Sequence, residues 1–411
     1  MKHGMLDDLN REGAKGRRVP WKGLVTLACT ILAFPAFGQD TPVAPSPEFS
    51  LIGDVSQKIT YNADSWDRYP NSLWAFTADL KPKFTYGAVR FQADSTWTLP
   101  LAASVTASTP TVAVSEAYFR VAATDSLDLT FGQKRFAIGV GQTFTVGDSI
   151  NPVIGFFDQK TGFRGATAEW SPVSWASVSA AYSTEGVGLD KPAGAGQVSL
   201  LLDKLQVTGS IAGRPDKSFN PALGASFDLW GVILTAEGAA EFLPQGARPS
   251  GAYTAWSTPA AWSAPALSAS AGARWTVTVF DVDFTAAGEY LHWGQGLSSD
   301  ETSAWKLALA GPGTAAAAAA KQATHGVRGQ ENAFFRFSAA SGTEYALTAF
   351  AAVDLQDASV LAQGTATWAP WDNFEVGVTL LTAGGDAGSS WEFVNPNKDR
   401  YQVSFATTYH F

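Results

Sequence analysis

A single cysteine, Cys29, and four histidines are all that 411 residues supply of two chemically useful side chains. One thiol builds neither a disulfide framework nor a thiolate metal site. Charge is scarce as well. Asp, Glu, Lys and Arg make up 16% of the chain, below what a soluble surface carries. No apolar run reaches the roughly 20 residues that a membrane-crossing helix needs. Catalytic signatures are missing too: there is no HExxH, no GxSxG, no phosphate-binding loop and no dinucleotide fingerprint. His3, His292, His325 and His410 are scattered through the sequence. No catalytic residue, metal or cofactor is therefore expected. An ordinary cytoplasmic enzyme fits this composition poorly.

The N-terminus looks like a targeting segment. Lys15, Arg17, Arg18 and Lys22 precede the apolar stretch LVTLACTILAFPAFG. That stretch is too short to span a bilayer and has the length of a signal-peptide core. Residues 1–38 are read as a signal peptide, cleaved before Gln39, and Cys29 leaves with it. The leader holds six basic and three acidic residues, so its loss takes the formal charge from −9 to −12. An acidic exported protein is a poor nucleic-acid binder. Residues 39–49, rich in proline, read as a short extended periplasmic tether.

From Ser50 to the end the pattern is uniform. Segments of about ten residues alternate apolar with small or polar side chains, the signature of transmembrane barrel strands. In NFEVGVTLL, for example, Phe374, Val376, Val378 and Leu380 oppose Glu375 and Thr379. Tight turns near Lys81, Asp125, Ser171, Asp203, Trp230, Asp281, Gly342 and Asn373 alternate with long loops. The long loops are near 62–71, 98–110, 139–161, 185–195, 213–220, 243–266, 293–331 and 384–399; only Asp354–Asp357 is short where a long one is due. Short turns on one rim and long loops on the other describe an outer-membrane barrel. The expected fold is all-β: a transmembrane antiparallel β-barrel over residues 50–411 with about 18 strands (16–18), or more if AWKLALA is a strand. The 15 tryptophans, many at strand ends, suit aromatic girdles at the two interfaces.

The last residues, RYQVSFATTYHF, place Tyr401, Val403, Phe405, Thr407, Tyr409 and Phe411 on one parity. A final aromatic after such alternation resembles the C-terminal signal by which bacterial outer-membrane proteins are recognised for assembly. That resemblance implies Tyr409 and Phe411 as the signal and the barrel-assembly machinery as a partner. A second stretch, FGQKRFAIGVGQTFTVGDSINP, resembles a pattern of porin-like and alginate-export-like outer-membrane families. It matches over some twenty residues through Gly132, Gln133, Lys134, Arg135, Gly139, Asp148, Ile150, Asn151 and Pro152. The order Gly-Gln-Lys-Arg departs slightly, and Ile138 stands where those families often have tryptophan.

That stretch ends a strand and enters a long loop, which can fold inward and narrow a lumen. Lys134 and Arg135 would bring positive charge there, faced by Asp148 and Asp158. Alternatively the loop is tied to the wall through Gly132, Gln133, Asn151 and Pro152, with no role in transport. The inward parity supplies Glu116, Arg120, Asp128, Glu237, Glu241, Arg274, Asp283, Glu289 and Glu375 as candidate pore-lining charges. Acid dominates them, which suggests a mild preference for cations. The expected function is a porin-like channel for passive diffusion of small hydrophilic solutes. The rivals are a gated substrate-specific channel, including one for hydrophobic substrates, and a non-conducting surface barrel. Expected partners are outer-membrane lipid, small solutes and a second copy of the chain, through a flat wall at Ala269, Ala271 and Ala273.

Overall fold

A computed structural model describes residues 46–63, 71–100, 110–141, 146, 162–183, 193–214, 218–242, 248–250, 255–257, 265–310, 329–342, 344–385 and 401–411. In chain order the first strands are β1 (Glu48–Ala63), β2 (Asn71–Tyr86), β3 (Val89–Pro100), β4 (Thr111–Thr124), β5 (Leu127–Lys134) and β6 (Phe163–Val173). There follow β7 (Ala176–Ser183), β8 (Ala193–Leu202), β9 (Leu205–Arg214), β10 (Ser218–Leu229) and β11 (Val232–Glu241). Two short strands, β12 (Arg248–Ser250) and β13 (Ala255–Ser257), pair only with each other. The remaining elements are β14 (Ala266–Val279), β15 (Val282–His292), helix α1 (Ser299–Ala310), β16 (Glu331–Ser341), β17 (Tyr345–Asp354), β18 (Ser359–Trp371), β19 (Phe374–Gly384) and β20 (Tyr401–His410).

Apart from β12 and β13, the strands form one 18-stranded antiparallel sheet. Each pairs with its neighbours along the chain, and β1 pairs with β20, from Asp54↔His410 to Ala63↔Tyr401. The sheet therefore has no free edge. Closure is what lets strands cross a bilayer, because every backbone donor and acceptor finds a partner within the sheet. Strand β1 begins at Glu48, two residues ahead of the expected start. AWKLALA lies in α1 and adds no strand. Its helix starts with a capping box: the Glu301 amide donates to the Ser298 hydroxyl, and the Ser298 amide donates to the Glu301 carboxylate.

The two faces of the sheet have opposite chemistry. On β11, Leu234, Ala236 and Gly238 are exposed while Thr235, Glu237, Ala239 and Glu241 are buried. Leu223 and Leu267, on the same outer face, are each 65% exposed. The outer face carries Trp74, Phe76, Trp97, Tyr182, Trp275, Phe335 and Phe405, all exposed. An apolar exterior around a polar interior is the arrangement of a barrel solvated by lipid.

Most hairpins at one rim turn in two residues: Gly87–Ala88, Asp125–Ser126, Ser174–Trp175, Asp203–Lys204, Trp230–Gly231, Phe280–Asp281 and Asp372–Asn373. Positive φ at Asp203, Trp230, Gly231, Phe280 and Asp281 gives the backbone twist that such hairpins need. The last residue closes the barrel at this rim. Phe411 and Gly53 exchange both backbone hydrogen bonds, and the Phe411 ring lies where a Cβ on Gly53 would be, 2.7 Å away. On the inner face, His410 Nδ1 sits 2.6 Å from the Asp54 carboxylate, a second link across the same seam.

Candidate channel interior

The inner face of β11 should be wet if the lumen were an open tube. Instead Glu237 is 4% exposed and Glu241 5%. Chain segments from two long loops cover them.

The first segment follows β5. Gly132, near the end of that strand, has φ +127, and a Cβ there would lie 2.3 Å from the Ala117 carbonyl oxygen, so the position demands glycine. Opposite it, β4 carries a bulge at Ser115, where the register with β3 shifts. The Gln133 side-chain amide donates to the Val114 and Ser115 carbonyls at the bulge, and the Gly162 backbone amide also donates to the Ser115 carbonyl. The chain then leaves the wall. The Arg135 amide donates to Glu116, at 3.0 Å. Phe136 and Ile138 are buried with Phe163, Ala181, Ala193 and Ala212, on β6 to β9. The Gly139 amide donates to Gln197 on β8, and the Val140 and Gly141 amides both donate to Glu237 on β11, at 2.9 and 3.1 Å. Residues 135–141 thus run along the inside of the barrel from β5 to β11. Val146 of the same loop is buried with Ala239, Leu291, Phe334, Ala352 and Leu361, on β11 and β15 to β18.

The second segment follows β15. The Gly294 amide donates to the Ser268 hydroxyl, and Ser268, Trp293 and Gln295 surround the buried Glu241 carboxylate. The returning end is held by β17 and the turn after it. Gly329 donates to the buried Asp354 carboxylate, Gln330 to the Gln356 side chain, and the Asn332 side chain to the Gly329 carbonyl. The long loop is fixed at both ends by residues on the inner parity.

The strand registers place Glu116, Arg120, Lys134, Glu237, Arg274, Asp283, Glu289 and Glu375 on the inner face. Several are paired. Arg120 and Asp128 lie 2.5 Å apart, Lys134 and Glu169 2.7 Å, and the Lys134 ammonium sits over the Tyr118 ring. Asp283 accepts from Thr278. Glu289 is buried on β15, and Arg274 is exposed within the lumen. Asp148, Asp158, Asn151 and Pro152 lie outside the described residues. So do the leader, most of the tether and the alanine-rich part of the 293–331 loop. The anchoring parts of Gln197, Ser268 and Asp354 had no local signal, since each depends on where a distant loop lands.

His292 faces outward. Its Nδ1 is 2.8 Å from Glu331, which also accepts from the Tyr290 hydroxyl. Among the described residues no cluster of His, Cys, Asp and Glu could hold a metal ion.

No protein-family model and no curated protein matches the sequence. Solved structures do match. They include a BenF-like porin from Pseudomonas fluorescens Pf-5, with TM-score 0.53 and 8% identity, covering 89% of this chain and 98% of that one. Acinetobacter baumannii OccAB4 gives 0.52 and 8%, over 90% and 100% of the two chains. Pseudomonas aeruginosa OccD3 (OpdP) gives 0.51 and 11%, over 93% and 96%. The likeness is one of fold: this chain is a closed antiparallel β-barrel similar to those of the solved porins.

Proposed function

We propose that the protein is an outer-membrane channel for passive diffusion of small hydrophilic solutes, narrowed by the segment that follows β5. The supporting observation is the path of residues 135–141, bonded in turn to Glu116, Gln197 and Glu237 along the inner wall. A segment held inside a barrel by buried charge-assisted hydrogen bonds is a fixed constriction rather than a floating loop. The walls it leaves uncovered carry charges of both signs: Asp79, Asp94 and Glu375 against Lys58, Arg90 and Arg336. Glu237, Glu241 and Glu289 supply much of the acid excess expected from the sequence, and all three are buried. The preference for cations is accordingly weak.

The test is swelling of proteoliposomes in neutral solutes of graded size. Uptake of small sugars that falls steeply with solute size supports a constricted pore. No swelling in any solute, from a barrel shown to be folded, would make it a non-conducting surface barrel.

One observation favours a gated variant. The loop after β15 is bonded to Ser268 at one end and to Asp354 at the other, so release of either end would change what lies on the inner wall. Voltage-driven closure that is abolished by Asp354→Ala would move the reading to a gated channel.

A further inference from the structure

Two adjacent hairpins at the short-turn rim break the usual choice of turn residue. Two-residue turns with positive φ favour Asn, Asp or Gly at the first position, because a bulky side chain is strained there. The β8–β9 turn obeys, with Asp203 at φ 57. The β10–β11 turn has Trp230 at φ 53, and the β14–β15 turn has Phe280 at φ 51. Neither aromatic is held by packing: Trp230 is 87% exposed and Phe280 95%. Turn geometry does not select them, and neither does the protein interior.

These hairpins stand side by side, since β11 pairs with β14 and Val232 faces Trp275. Their outer faces are apolar down to the turn. On β14 the outward residues run from Leu267 through Trp275 to Val279 without a polar side chain. The twelve steps from Leu267 to Val279, at about 3.3 Å each and tilted by about 40°, cover about 30 Å, against an apolar band about 25 Å tall. The residue after Val279 therefore falls in the headgroup layer. Of the other two-residue tips, Asp125–Ser126, Asp203–Lys204 and Asp372–Asn373 are polar, and Ser174–Trp175 carries an aromatic at its second position.

We propose that Trp230 and Phe280 are membrane anchors that insert into the headgroup layer of the phospholipid leaflet at the short-turn rim. Amphipathic and aromatic rings favour that layer, and the tips continue a surface that lipid already covers. The anchors lie on one side of the barrel. This inference stands on the barrel itself and is independent of what the lumen passes.

Cys29→Ser removes the only thiol, so single cysteines at positions 230, 280 and 203 can each carry a bimane label. The full chain is reconstituted in phosphatidylcholine vesicles, and folding is checked by heat-modifiable migration. With Trp230→Cys and Phe280→Cys, bimane emission is blue-shifted and is quenched at least threefold more by headgroup-proximal nitroxide lipid than the same label on Asp203→Cys. Iodide in the buffer shows the reverse order. Equal iodide quenching at all three sites would place the tips in water and overturn the proposal. Protection from both quenchers would mean a protein partner covers them and would overturn it equally. A second variant has the opposite sign under the two outcomes. Trp230→Asn supplies the residue the turn prefers, so it lowers the urea midpoint in vesicles if the ring is embedded and raises it if the tip is in water.

Discussion

A carboxylate on the inside of a water-filled barrel can meet permeating ions or hold the protein to itself. Glu237 does the second. Its two amide donors, Val140 and Gly141, are backbone groups that would otherwise be left without a partner against the wall. Leaving a buried donor unmade costs about 1–3 kcal/mol. Glu237→Ala is therefore expected to free residues 139–141 and raise single-channel conductance and open-channel noise. Glu237→Gln, which keeps an acceptor, is expected to do so less. Arg120 is different. Its pair with Asp128 is part-exposed, with side-chain exposures of 41% and 28%, and such pairs contribute about 0–1 kcal/mol. Arg120→Ala should leave the urea midpoint almost unchanged and move the reversal potential in a salt gradient toward cations. At the seam, Gly53→Val would drive a side chain into the Phe411 ring and the Asp79 carbonyl, each 2.7 Å from the new Cβ. The expected result is a large loss of the heat-modifiable folded band.

At the scale of elements, the strands were legible and the loops were not. Two-residue alternation is a local property, and it marked the faces of β14, β19 and β20 correctly because lipid on one side and a polar lumen on the other act on every residue. AWKLALA shows the limit. Its apolar pattern was open between strand and loop, and the helix it forms is started by the Ser298–Glu301 capping box just upstream. Glu237 and Glu241 were read as wall charges by parity, and parity is right about the face. What covers them arrives from β5 and from β15, nearly a hundred residues away in one case, and no local pattern announces that. The long loop after β15 gives an element-scale prediction. Asp354 accepts from the Gly329 amide at 3.0 Å and from Gln356 at 2.9 Å, and is fully buried. Asp354→Ala removes both bonds, at about 1–3 kcal/mol for each buried donor left unmade. Added protease should then cut between residues 293 and 330 several-fold faster in intact vesicles, with the barrel band unchanged.

For the whole molecule, closure is the property on which the rest depends. Eighteen barrel strands enclose a lumen, the segment after β5 runs along its inside, and the start of the β15 loop bonds its inner wall. The central claim is that a continuous water path survives between these covers. Single-channel recording of the refolded protein in a planar bilayer, with reversal potential taken in a salt gradient, tests it most directly. Discrete, stable conductance steps with a reversal potential close to zero are expected, with larger steps for Glu237→Ala. Silence from a folded, heat-modifiable barrel, in the parent and in Glu237→Ala alike, would contradict it.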